Sequence, residues 1–565
     1  MSREVVLPVI QGKTLRDAVI SASNRLNSVK QEVDALNVFP VPDGDTGTNM
    51  SMTIAAGARE LARLSDPTVG QVATTASAAL LRGARGNSGV ILSLLFRGFA
   101  KGLKDMETAD GVALAAALTL GVEAAYKAVM KPTEGTILTV AREAAEKGTA
   151  AAAENPDPLF VWDAICTEAD ASLTRTPDLL PALKKAGVVD AGGKGFCVVI
   201  HEMQAVFGGA PIFTDGADTA TSVQTQVKKE SVVGSFDAEI TFTYCTEFIV
   251  ARDKGNDRNP LLLRAYLESI GDCVVVVDDD DIIKVHVHTN APGNALQEGL
   301  KYGQFETVKV ENMRLQHENA GWVGETQGEQ VPEHKRAEPE KPYGFVAVAA
   351  GDGLAELFHD LGCDEVVSGG QTMNPSTDDI LNAIQATPAK LVYVLPNNKN
   401  IILAAEQAAP LADRAVRVLP TRTVPQGISS MLAFDPEAGV EENLVSMRQA
   451  YEAVSTGSLT FAARDSDFEG HDIHEGDILA MEEGKLSFVD TTVEHAVVKL
   501  AKTILNGRRL AGKETSFITL IAGADVTEEA ANAAAAAIAE KAGNRIEVTV
   551  VPGGQPVYYY FLSLE

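Results

Sequence analysis

The sequence is poor in cysteine, and its basic residues are far fewer than its acidic ones. Its 565 residues include only five cysteines, with no Cys-x-x-Cys pair, so we expect reduced thiols and no disulfide framework. Lysine and arginine together number 48 against 77 aspartates and glutamates, which gives a net charge of −29. Because this charge repels DNA, RNA and anionic lipid surfaces, we expect no binding to nucleic acid.

Long hydrophobic runs are also missing. The most apolar helical stretch, residues 112–122, lies between Asp110 and Glu123 and is shorter than the roughly 20 residues that cross a bilayer, so we predict no transmembrane segment. Residues 1–13 lack the apolar core of a secretory signal, and we therefore expect a cytoplasmic protein. Apolar residues still make up 45% of the chain, enough for several buried cores, and the length favours roughly three or four domains.

Periodicity and composition predict three domains joined by polar linkers. Ala- and Leu-rich segments with a period of 3.6 residues predict an all-α domain over residues 9–210. Residues 236–322 show the order β-α-β-β-α-β of a small ferredoxin-like α+β domain. Over residues 343–565, strand-like runs alternate with helical segments, which predicts an α/β domain with a parallel sheet and a strand-rich insertion at about 457–490.

The most unusual local feature is the loop FPVPDGDTGTNM, in which Asp43 and Asp45 lie two residues apart. Carboxylate oxygens on a Gly- and Pro-rich loop suit Mg²⁺, and the following residues offer donors to phosphate oxygens. These donors are Thr46, Thr48 and Asn49. An Asx-type turn that caps the next helix explains the loop equally well, so the spacing alone leaves both interpretations open.

Two more glycine-rich loops, RGARGNSG and VVDAGGKGF, each precede an apolar helical run. Backbone N–H groups at a helix amino terminus bind anions, although a tight helix entry is the more frequent meaning of such a string. The candidate phosphate or nucleotide residues are Gly86, Asn87, Ser88 and Gly89 in the first loop, and Asp190, Gly192, Gly193 and Gly195 in the second. Three such loops in one helical domain are harder to explain as turns than one.

A fourth string, GRRLAGKE at residues 507–514, has the glycine and lysine spacing of a P-loop but is not predicted to bind nucleotide. Glu514 occupies the position of the Mg²⁺-binding serine or threonine, and the string follows a helix and precedes a strand. A P-loop requires the reverse order, strand then loop then helix.

In the middle domain, strand periodicity places His286 and His288 on one face of a strand. In a ferredoxin-like sheet the first and third strands are neighbours, so we expect Cys245 beside these histidines on the face that no helix covers. Cysteine and histidine bind Zn²⁺ at about 2.0–2.3 Å, and three protein ligands leave a fourth position open. The alternative is two surface histidines near an unrelated cysteine.

Together, the motifs LNVFPVPDGDTGTNM, RGARGNSG, KPTEGTILTV and VVDAGGKGF closely resemble the ATP-binding domain of the dihydroxyacetone kinase L-subunit superfamily, also called DhaL or DAK2. With a middle domain carrying CTE and HVHTN and a DegV-like carboxy-terminal domain, nearly the whole chain resembles the bacterial fatty acid kinase A family. The resemblance implies a DhaL-like helical barrel that holds ATP and two Mg²⁺ ions. It also implies that Asp43 and Asp45 match the last two of three metal-binding aspartates, and Asn37 is our choice for the first position.

The same resemblance implies an ATP-dependent phosphotransferase that makes acyl phosphate from a fatty acid presented by a FakB-type binding protein. A homodimer is plausible from the family. Two alternatives stay open: a glycerone kinase-like enzyme acting on dihydroxyacetone or another small hydroxylated substrate, and a non-catalytic regulator that senses nucleotide or lipid. For the third domain, which resembles the FakB proteins, we favour a role in docking or dimerisation over lipid binding.

Overall fold

The structure is a computed structural model, and it describes residues 8–37, 44–129, 131–214, 244–252, 258, 260–278, 282–312, 336–370, 373–468, 471–543 and 545–565. The predicted metal ligand Asp43 and most of the two predicted linkers lie outside these residues. The chain forms two compact units, one made of Met1–Thr219 with His334–Glu565 and the other of Ala220–Glu333.

The first domain is helical, as its periodicity predicts. Its helices are α1 (Gly12–Ser28), α2 (Lys30–Asp34), α3 (Thr46–Leu61), α4 (Val69–Gly83), α5 (Gly86–Gly102), α6 (Gly111–Ala128), α7 (Ile137–Glu154), α8 (Pro158–Leu179), α9 (Pro181–Ala186) and α10 (Ala191–Phe207). Two short strands, β1 (Ile10–Gln11) and β2 (Thr108–Ala109), pair antiparallel at its edge. In α1, Leu15, Val19, Ala22 and Leu26 recur at the helical spacing and are buried, which shows why this sequence forms an amphipathic helix.

Glycines bring the backbones of α5 and α6 into contact. A Cβ on Gly98 would lie 2.0 Å from the carbonyl oxygen of Leu120, and one on Gly121 would lie 2.5 Å from that of Leu95. Helix α6 is the one helix in the described residues that is long and apolar enough to cross a membrane, a test that a core helix also passes. Its inner face packs on α5 and α7, and residues such as Leu114 and Leu118 are buried there.

The middle unit has the predicted order of elements. They are β3 (Tyr244–Arg252), α11 (Pro260–Ile270), β4 (Gly271–Asp278), β5 (Ile282–Thr289), α12 (Pro292–Gly299) and β6 (Gly303–Asn312). The strands form one antiparallel sheet in the order β4-β5-β3-β6, so the first and third strands are neighbours, as expected for a ferredoxin-like fold. Phe248, Val250, Ile283, Val285 and Val287 form its core together with residues of α11 and α12.

The third domain contains two main sheets. Its elements are β7 (Lys341–Ala349), α13 (Asp352–Asp360), β8 (Glu365–Ser368), α14 (Thr377–Ala386), β9 (Ala389–Leu395), α15 (Ile402–Ala408), β10 (Ala415–Val418), α16 (Val424–Leu432), α17 (Val440–Ala453), β11 (Ser455–Phe461), β12 (Ser466–Phe468), β13 (His471–Ile473), β14 (Ile478–Glu482), β15 (Lys485–Asp490), α18 (Val493–Leu510), β16 (Phe517–Ala522), α19 (Glu528–Ala542), β17 (Glu547–Pro552) and β18 (Tyr558–Leu564). A parallel sheet has the order β10-β9-β7-β8, and a mixed sheet has the order β15-β14-β11-β18-β16-β17.

The second sheet corrects one detail of the expected α/β architecture. The strand-rich stretch at about 457–490 is not an insertion into a single parallel sheet, because β11, β14 and β15 form one side of the mixed sheet. The run SFITLIAG, expected with the parallel strands, forms β16 of that same sheet. The last strand, β18, pairs antiparallel with both β11 and β16 and so joins the two halves.

The first and third domains pack against each other within one unit. Helix α14 contacts α4, and α15 contacts α5. Buried apolar residues of the two domains belong to one continuous cluster, which includes Leu80 and Leu92 from the first domain and Ile380 and Ala404 from the third. The amino ends of α5 and α14 therefore lie close together, and this contact borders the candidate site.

Candidate functional site

The start of α3 is held by Asp34, a residue that sequence reasoning missed. One carboxylate oxygen of Asp34 accepts hydrogen bonds from the backbone N–H groups of Gly47, at 2.6 Å, and Thr48, at 3.1 Å. The other oxygen accepts the hydroxyl of Thr48 at 2.7 Å. Asp34 thus caps α3 from the end of α2. The only clue in the sequence is an acidic residue shortly before the Asp43 loop.

Asn37 and Thr46 join the two flanks of the predicted metal loop. The Thr46 hydroxyl donates to Oδ1 of Asn37 at 2.9 Å, and Nδ2 of Asn37 donates to the carbonyl of Asp34 at 3.0 Å. The hydroxyls of Thr46 and Thr48, expected to be donors to phosphate, therefore both take part in bracing this loop. Asn37 lies next to the loop, and its assignment to the first metal position stays a prediction.

The start of α5 borders a buried amide. Gly86 has a φ of +56°, and a Cβ built on it would lie 2.4 Å from Nδ2 of Asn49, which is only 3% exposed. Among the described residues, no hydrogen bond involves the Asn49 carboxamide. The cap residue of α5, Arg85, makes no side-chain capping bond to the helix. A glycine in the left-handed conformation thus lies beside a buried polar group at this helix end.

The remaining residues of RGARGNSG have different surroundings. A Cβ on Gly89 would lie 2.3 Å from the hydroxyl oxygen of Thr53, so this glycine permits close contact between α5 and α3. Asn87 is exposed, and its amide donates to Oδ1 of Asn400 in the third domain at 3.3 Å. Ser88 follows on the first turn of α5 and is half-buried.

Asp190 caps α10 and links it to two other helices. Its carboxylate accepts the backbone N–H of Gly193 at 2.7 Å, and its own N–H donates to the hydroxyl of Thr176 at 3.1 Å. Burial raises the pKa of this carboxyl to about 6, although hydrogen bonds from the N–H groups of Gly193 and Ile137 oppose the rise. The VVDAGGKGF loop therefore carries a partly desolvated acid.

The glycines of this loop allow helix ends to meet. A Cβ on Gly192 would lie 3.3 Å from Ile137, the first residue of α7, and one on Gly195 would lie 2.7 Å from the sulfur of Met50 in α3. In the KPTEGTILTV motif, at the start of α7, the Thr139 hydroxyl donates to Glu134 at 2.7 Å. The four predicted motifs thus meet around the amino ends of α3, α5, α7 and α10.

One carboxylate of the candidate site contacts the third domain. Nδ2 of Asn374 donates to Oδ2 of Asp45 at 2.7 Å. The backbone carbonyl of Asn374 accepts from the Arg85 guanidinium at 2.8 Å, and Arg85 also forms an ion pair with Asp379 at 3.3 Å. No sequence pattern indicates this contact, because Asn374 lies 329 residues after Asp45.

The described residues fit a phosphate group with its magnesium. Asp45 supplies a carboxylate oxygen, the kind of ligand that Mg²⁺ prefers, and the amino end of α5 with the buried Asn49 amide supplies donors for phosphate oxygens. No group of three or more His, Cys, Asp or Glu side chains suited to a metal occurs among the described residues, and Asp43 lies outside them. The Mg²⁺ assignment to Asn37, Asp43 and Asp45 stays a prediction.

The predicted zinc residues lie in register on neighbouring strands. Cys245 of β3 pairs with His288 of β5, and Glu247 pairs with His286. The side chains of Cys245, His286 and His288 lie outside the described part of the structure. The backbone therefore has the strand pairing that the zinc hypothesis requires, and the ligation itself stays a prediction.

The structure agrees with the exclusion of residues 507–514 as a P-loop. The string lies at the end of α18 and before β16. Within it, the buried Arg508 guanidinium donates to the backbone carbonyls of Ala453 and Glu514. Arg508 thus ties the helix end to its neighbours, which is a structural role.

Three family models match the chain. They are the DAK2 domain over residues 40–205, the middle domain of the FakA-like fatty acid kinase proteins over 241–320, and the carboxy-terminal domain of the same proteins over 344–565. The predicted resemblance and the predicted fold classes are confirmed by these matches. The three cysteines that the structure describes with their side chains, Cys166, Cys197 and Cys363, are free and buried, in line with the expected reduced thiols.

Among known proteins, Protein YloV of Bacillus subtilis (strain 168) is 41% identical over 98% of this chain and 99% of its own length. Among solved structures, the dihydroxyacetone kinase from C. freundii in complex with AMP-PNP and Mg²⁺ has a TM-score of 0.27 and 20% identity, covering 36% of each chain. A DegV family protein from Thermus thermophilus, described as fatty acid binding, has a TM-score of 0.30 and 16% identity, covering 40% of this chain and 99% of that one. With YloV matching at full length and three successive family domains, the chain belongs to the FakA-like family and is a kinase related to fatty acid kinase.

Proposed function

We propose that this chain is the cytoplasmic ATP-dependent kinase component that phosphorylates the carboxylate of a fatty acid and releases acyl phosphate. The fatty acid is presented by a separate FakB-type binding protein. Membership of the FakA-like family supports the acyl substrate, and the DAK2 domain supports ATP as the phosphoryl donor.

The observation that carries the proposal is the cluster formed by Asp45, Asn49 and Gly86. It combines a carboxylate, a buried carboxamide without a hydrogen-bond partner among the described residues, and a helix amino end whose cap residue makes no side-chain bond to the helix. Phosphoryl transfer depends on groups that hold phosphate oxygens and neutralise their charge, and needs little covalent chemistry from the protein. These three residues provide that combination.

In the proposed reaction, a carboxylate oxygen of the fatty acid attacks the γ-phosphorus of ATP. The bond from this phosphorus to the bridging oxygen breaks, and ADP keeps the electron pair. Because a carboxylate is already ionised at neutral pH, the enzyme does not have to remove a proton from the acceptor. When bound, Mg²⁺ neutralises charge on the phosphate oxygens. Asp45 would be a ligand for that ion, and the N–H groups at the start of α5 would bind phosphate oxygens.

The charged groups in the cavity near the site favour an acyl-carrying partner. A cavity of about 1060 Å³ lies between α5 and the third domain. Its lining mixes apolar residues, such as Ile91, Leu403 and Phe561, with the charged residues Lys399, Glu406, Arg422 and Glu452. An acyl tail needs an apolar tunnel, and burying it against these charged groups would cost their hydration. A binding protein that encloses the tail and exposes only the carboxylate avoids this cost.

The test is an ADP-release assay with three acceptors: free glycerone, free fatty acid, and fatty acid bound to a FakB-type protein. We expect turnover only with the third, together with acyl phosphate as the product. Turnover with glycerone would instead establish a dihydroxyacetone kinase-like activity, and no turnover with any acceptor would favour a regulator that senses nucleotide. Equal rates with free and protein-bound fatty acid would refute the two-component proposal.

Three further predictions belong to this proposal. The chain is divided into domains at 9–210, 236–322 and 343–565, it binds Zn²⁺ in the middle domain, and it forms a homodimer. Light scattering at micromolar concentrations tests the dimer, and metal analysis of the purified chain tests the zinc. A monomer at all concentrations or a chain free of transition metals would contradict the respective prediction.

A further inference from the structure

We propose that the third domain contributes two positioning residues, Asn374 and Arg464, to the phosphoryl-transfer site of the first domain. Asn374 orients the Asp45 carboxylate, and Arg464 fixes the backbone on the opposite flank of the same loop. The inference rests on the proposed function in that it takes Asp45 to face the nucleotide phosphates. It goes beyond that function by giving the third domain a part in ATP binding, exerted through residues of the first domain.

The first step is the contact between Asn374 and Asp45. Asn374 is 4% exposed, and its amide donates to Oδ2 of Asp45 at 2.7 Å. A carboxylate that accepts a hydrogen bond through one oxygen keeps a fixed orientation, so its other oxygen points in a defined direction. The same amide nitrogen lies close to the start of α5, because a Cβ on Gly86 would be 3.2 Å from it. Asn374 thus lies beside both the carboxylate and Gly86.

The second step is that Asn374 cannot move independently of the first domain. Its backbone carbonyl accepts from Arg85, and Ser376 forms an antiparallel bridge with Arg85. The N–H of Thr377 donates to the carbonyl of Ala84 at 3.0 Å. Backbone pairing therefore fixes the segment that carries Asn374 against the residues that lead into α5.

The third step is an independent contact on the other flank of the loop. The Arg464 guanidinium, just before β12, donates to the carbonyl of Ala35 at 2.7 Å and to the carbonyl of Asn37. The Asn37 side chain in turn accepts from Thr46, at the start of α3. Two separate elements of the third domain thus hold the residues on both sides of the predicted metal loop.

The structure therefore assigns the third domain a role in aligning Asp45 for Mg²⁺ and ATP. Losing a hydrogen bond that involves a charged group costs about 1.4 kcal/mol, which corresponds to an about tenfold loss of affinity for the ligand that the bond helps to position. We expect each of the variants Asn374→Ala and Arg464→Ala to raise the Mg²⁺ concentration at which ATP binding is half-maximal by about that factor.

The experiment uses the full-length chain and measures binding of a fluorescent ATP analogue during a Mg²⁺ titration. Matched controls are Asn532→Ala and Arg545→Ala, which remove the same chemical groups from exposed positions of the third domain. A second readout is the melting temperature with and without Mg·ATP. We expect the apo melting temperature of each site variant to stay near that of its control, and the increase on adding Mg·ATP to be smaller.

The result that would overturn the proposal is a Mg²⁺ dependence in both site variants equal to that of the controls. A lower apo melting temperature with an unchanged Mg²⁺ dependence would also overturn it, because it shows a structural role only. Arg464→Lys, which keeps one donor, is expected to recover part of the affinity lost in Arg464→Ala. None of these measurements needs a phosphoryl acceptor. The proposal of an acyl substrate can therefore be refuted while this inference holds, and this inference can be refuted while the acyl substrate is confirmed.

Discussion

Replacing Gly86 by alanine probes the proposed phosphate site at the start of α5. With φ at +56°, the residue occupies a left-handed conformation that costs a non-glycine residue roughly 1–2 kcal/mol. The new Cβ would also lie 2.4 Å from Nδ2 of Asn49. Moving this buried amide adds a packing cost of about 1–3 kcal/mol. We therefore expect Gly86→Ala to lower the stability of the first domain by about 2–5 kcal/mol.

A matched control separates backbone strain from the effect on the site. Gly512 has a φ of +72°, and a Cβ added to it would have no heavy atom within 4 Å, so Gly512→Ala carries only the conformational cost of roughly 1–2 kcal/mol. It lies in the third domain, between α18 and β16. We expect this variant to bind Mg·ATP like the unmodified chain.

The assay is the stabilisation produced by Mg·ATP in thermal unfolding, supported by direct nucleotide titration. Ligand at 100 times its Kd stabilises a protein by about 2.7 kcal/mol, and each tenfold loss of affinity removes about 1.4 kcal/mol of that. Because the added methyl group would displace the proposed phosphate site, we expect Gly86→Ala to lose at least tenfold in affinity, and Gly512→Ala to lose none. Equal stabilisation of the two variants by Mg·ATP would refute the placement of phosphate at α5.

Three other predictions test separate parts of the molecule. Asp45→Ala or Asp43→Ala should abolish phosphoryl transfer while the chain stays folded, and normal Mg²⁺-dependent turnover in both variants would rule out the metal assignment. Asp34→Ala should lower the apo melting temperature because it uncaps α3. Burial raises the pKa of Asp190 from 3.8 to about 6, so the folded protein binds this proton more tightly than the unfolded chain does. The folded protein therefore loses up to about 3 kcal/mol of stability as the pH rises from about 4 to about 6. Asp190→Asn should gain stability relative to the unmodified chain over this range, and a pH-independent difference would contradict the assignment. Elemental analysis should find one zinc ion per chain. The triple variant Cys245→Ser, His286→Ala, His288→Ala should lose this zinc, and an unchanged zinc content in it would exclude these three residues as the ligands.

Local sequence patterns predicted most of the architecture. The helical period of α1 and the strand alternation around His286 are properties of a few neighbouring residues, and both elements form as expected. The mixed sheet of the third domain was missed because β18 lies between β11 and β16, an order set by long-range packing that no local pattern contains. Local periodicity predicts that a segment forms a strand, but which strands it pairs with depends on the rest of the chain.

The site shows the same division between local and distant information. The glycine-rich loops were recognised because a backbone position with positive φ, such as that of Gly86, favours glycine, and clustered glycines are visible in the sequence. Asp34 was missed because a carboxylate that caps a neighbouring helix looks like any surface acid. Asn374 and Arg464 were missed because their contacts span 329 and more than 400 residues, and nothing near them in the sequence indicates nucleotide.

The contact between Asn374 and Asp45 also bears on when the enzyme becomes active during its synthesis. A ribosome adding roughly 5–20 residues per second needs about 16–66 s to make the 329 residues that separate the two. In the later part of that interval, once residue 196 has been made, the glycine-rich loops are present without the Asn374 amide that contacts Asp45. The same holds for any fragment that contains residues 1–196 and ends before residue 374. By the tenfold effect expected for loss of this contact, nascent and truncated chains would need more Mg²⁺ to bind ATP, so synthesis of the third domain would raise the affinity of the chain for Mg·ATP.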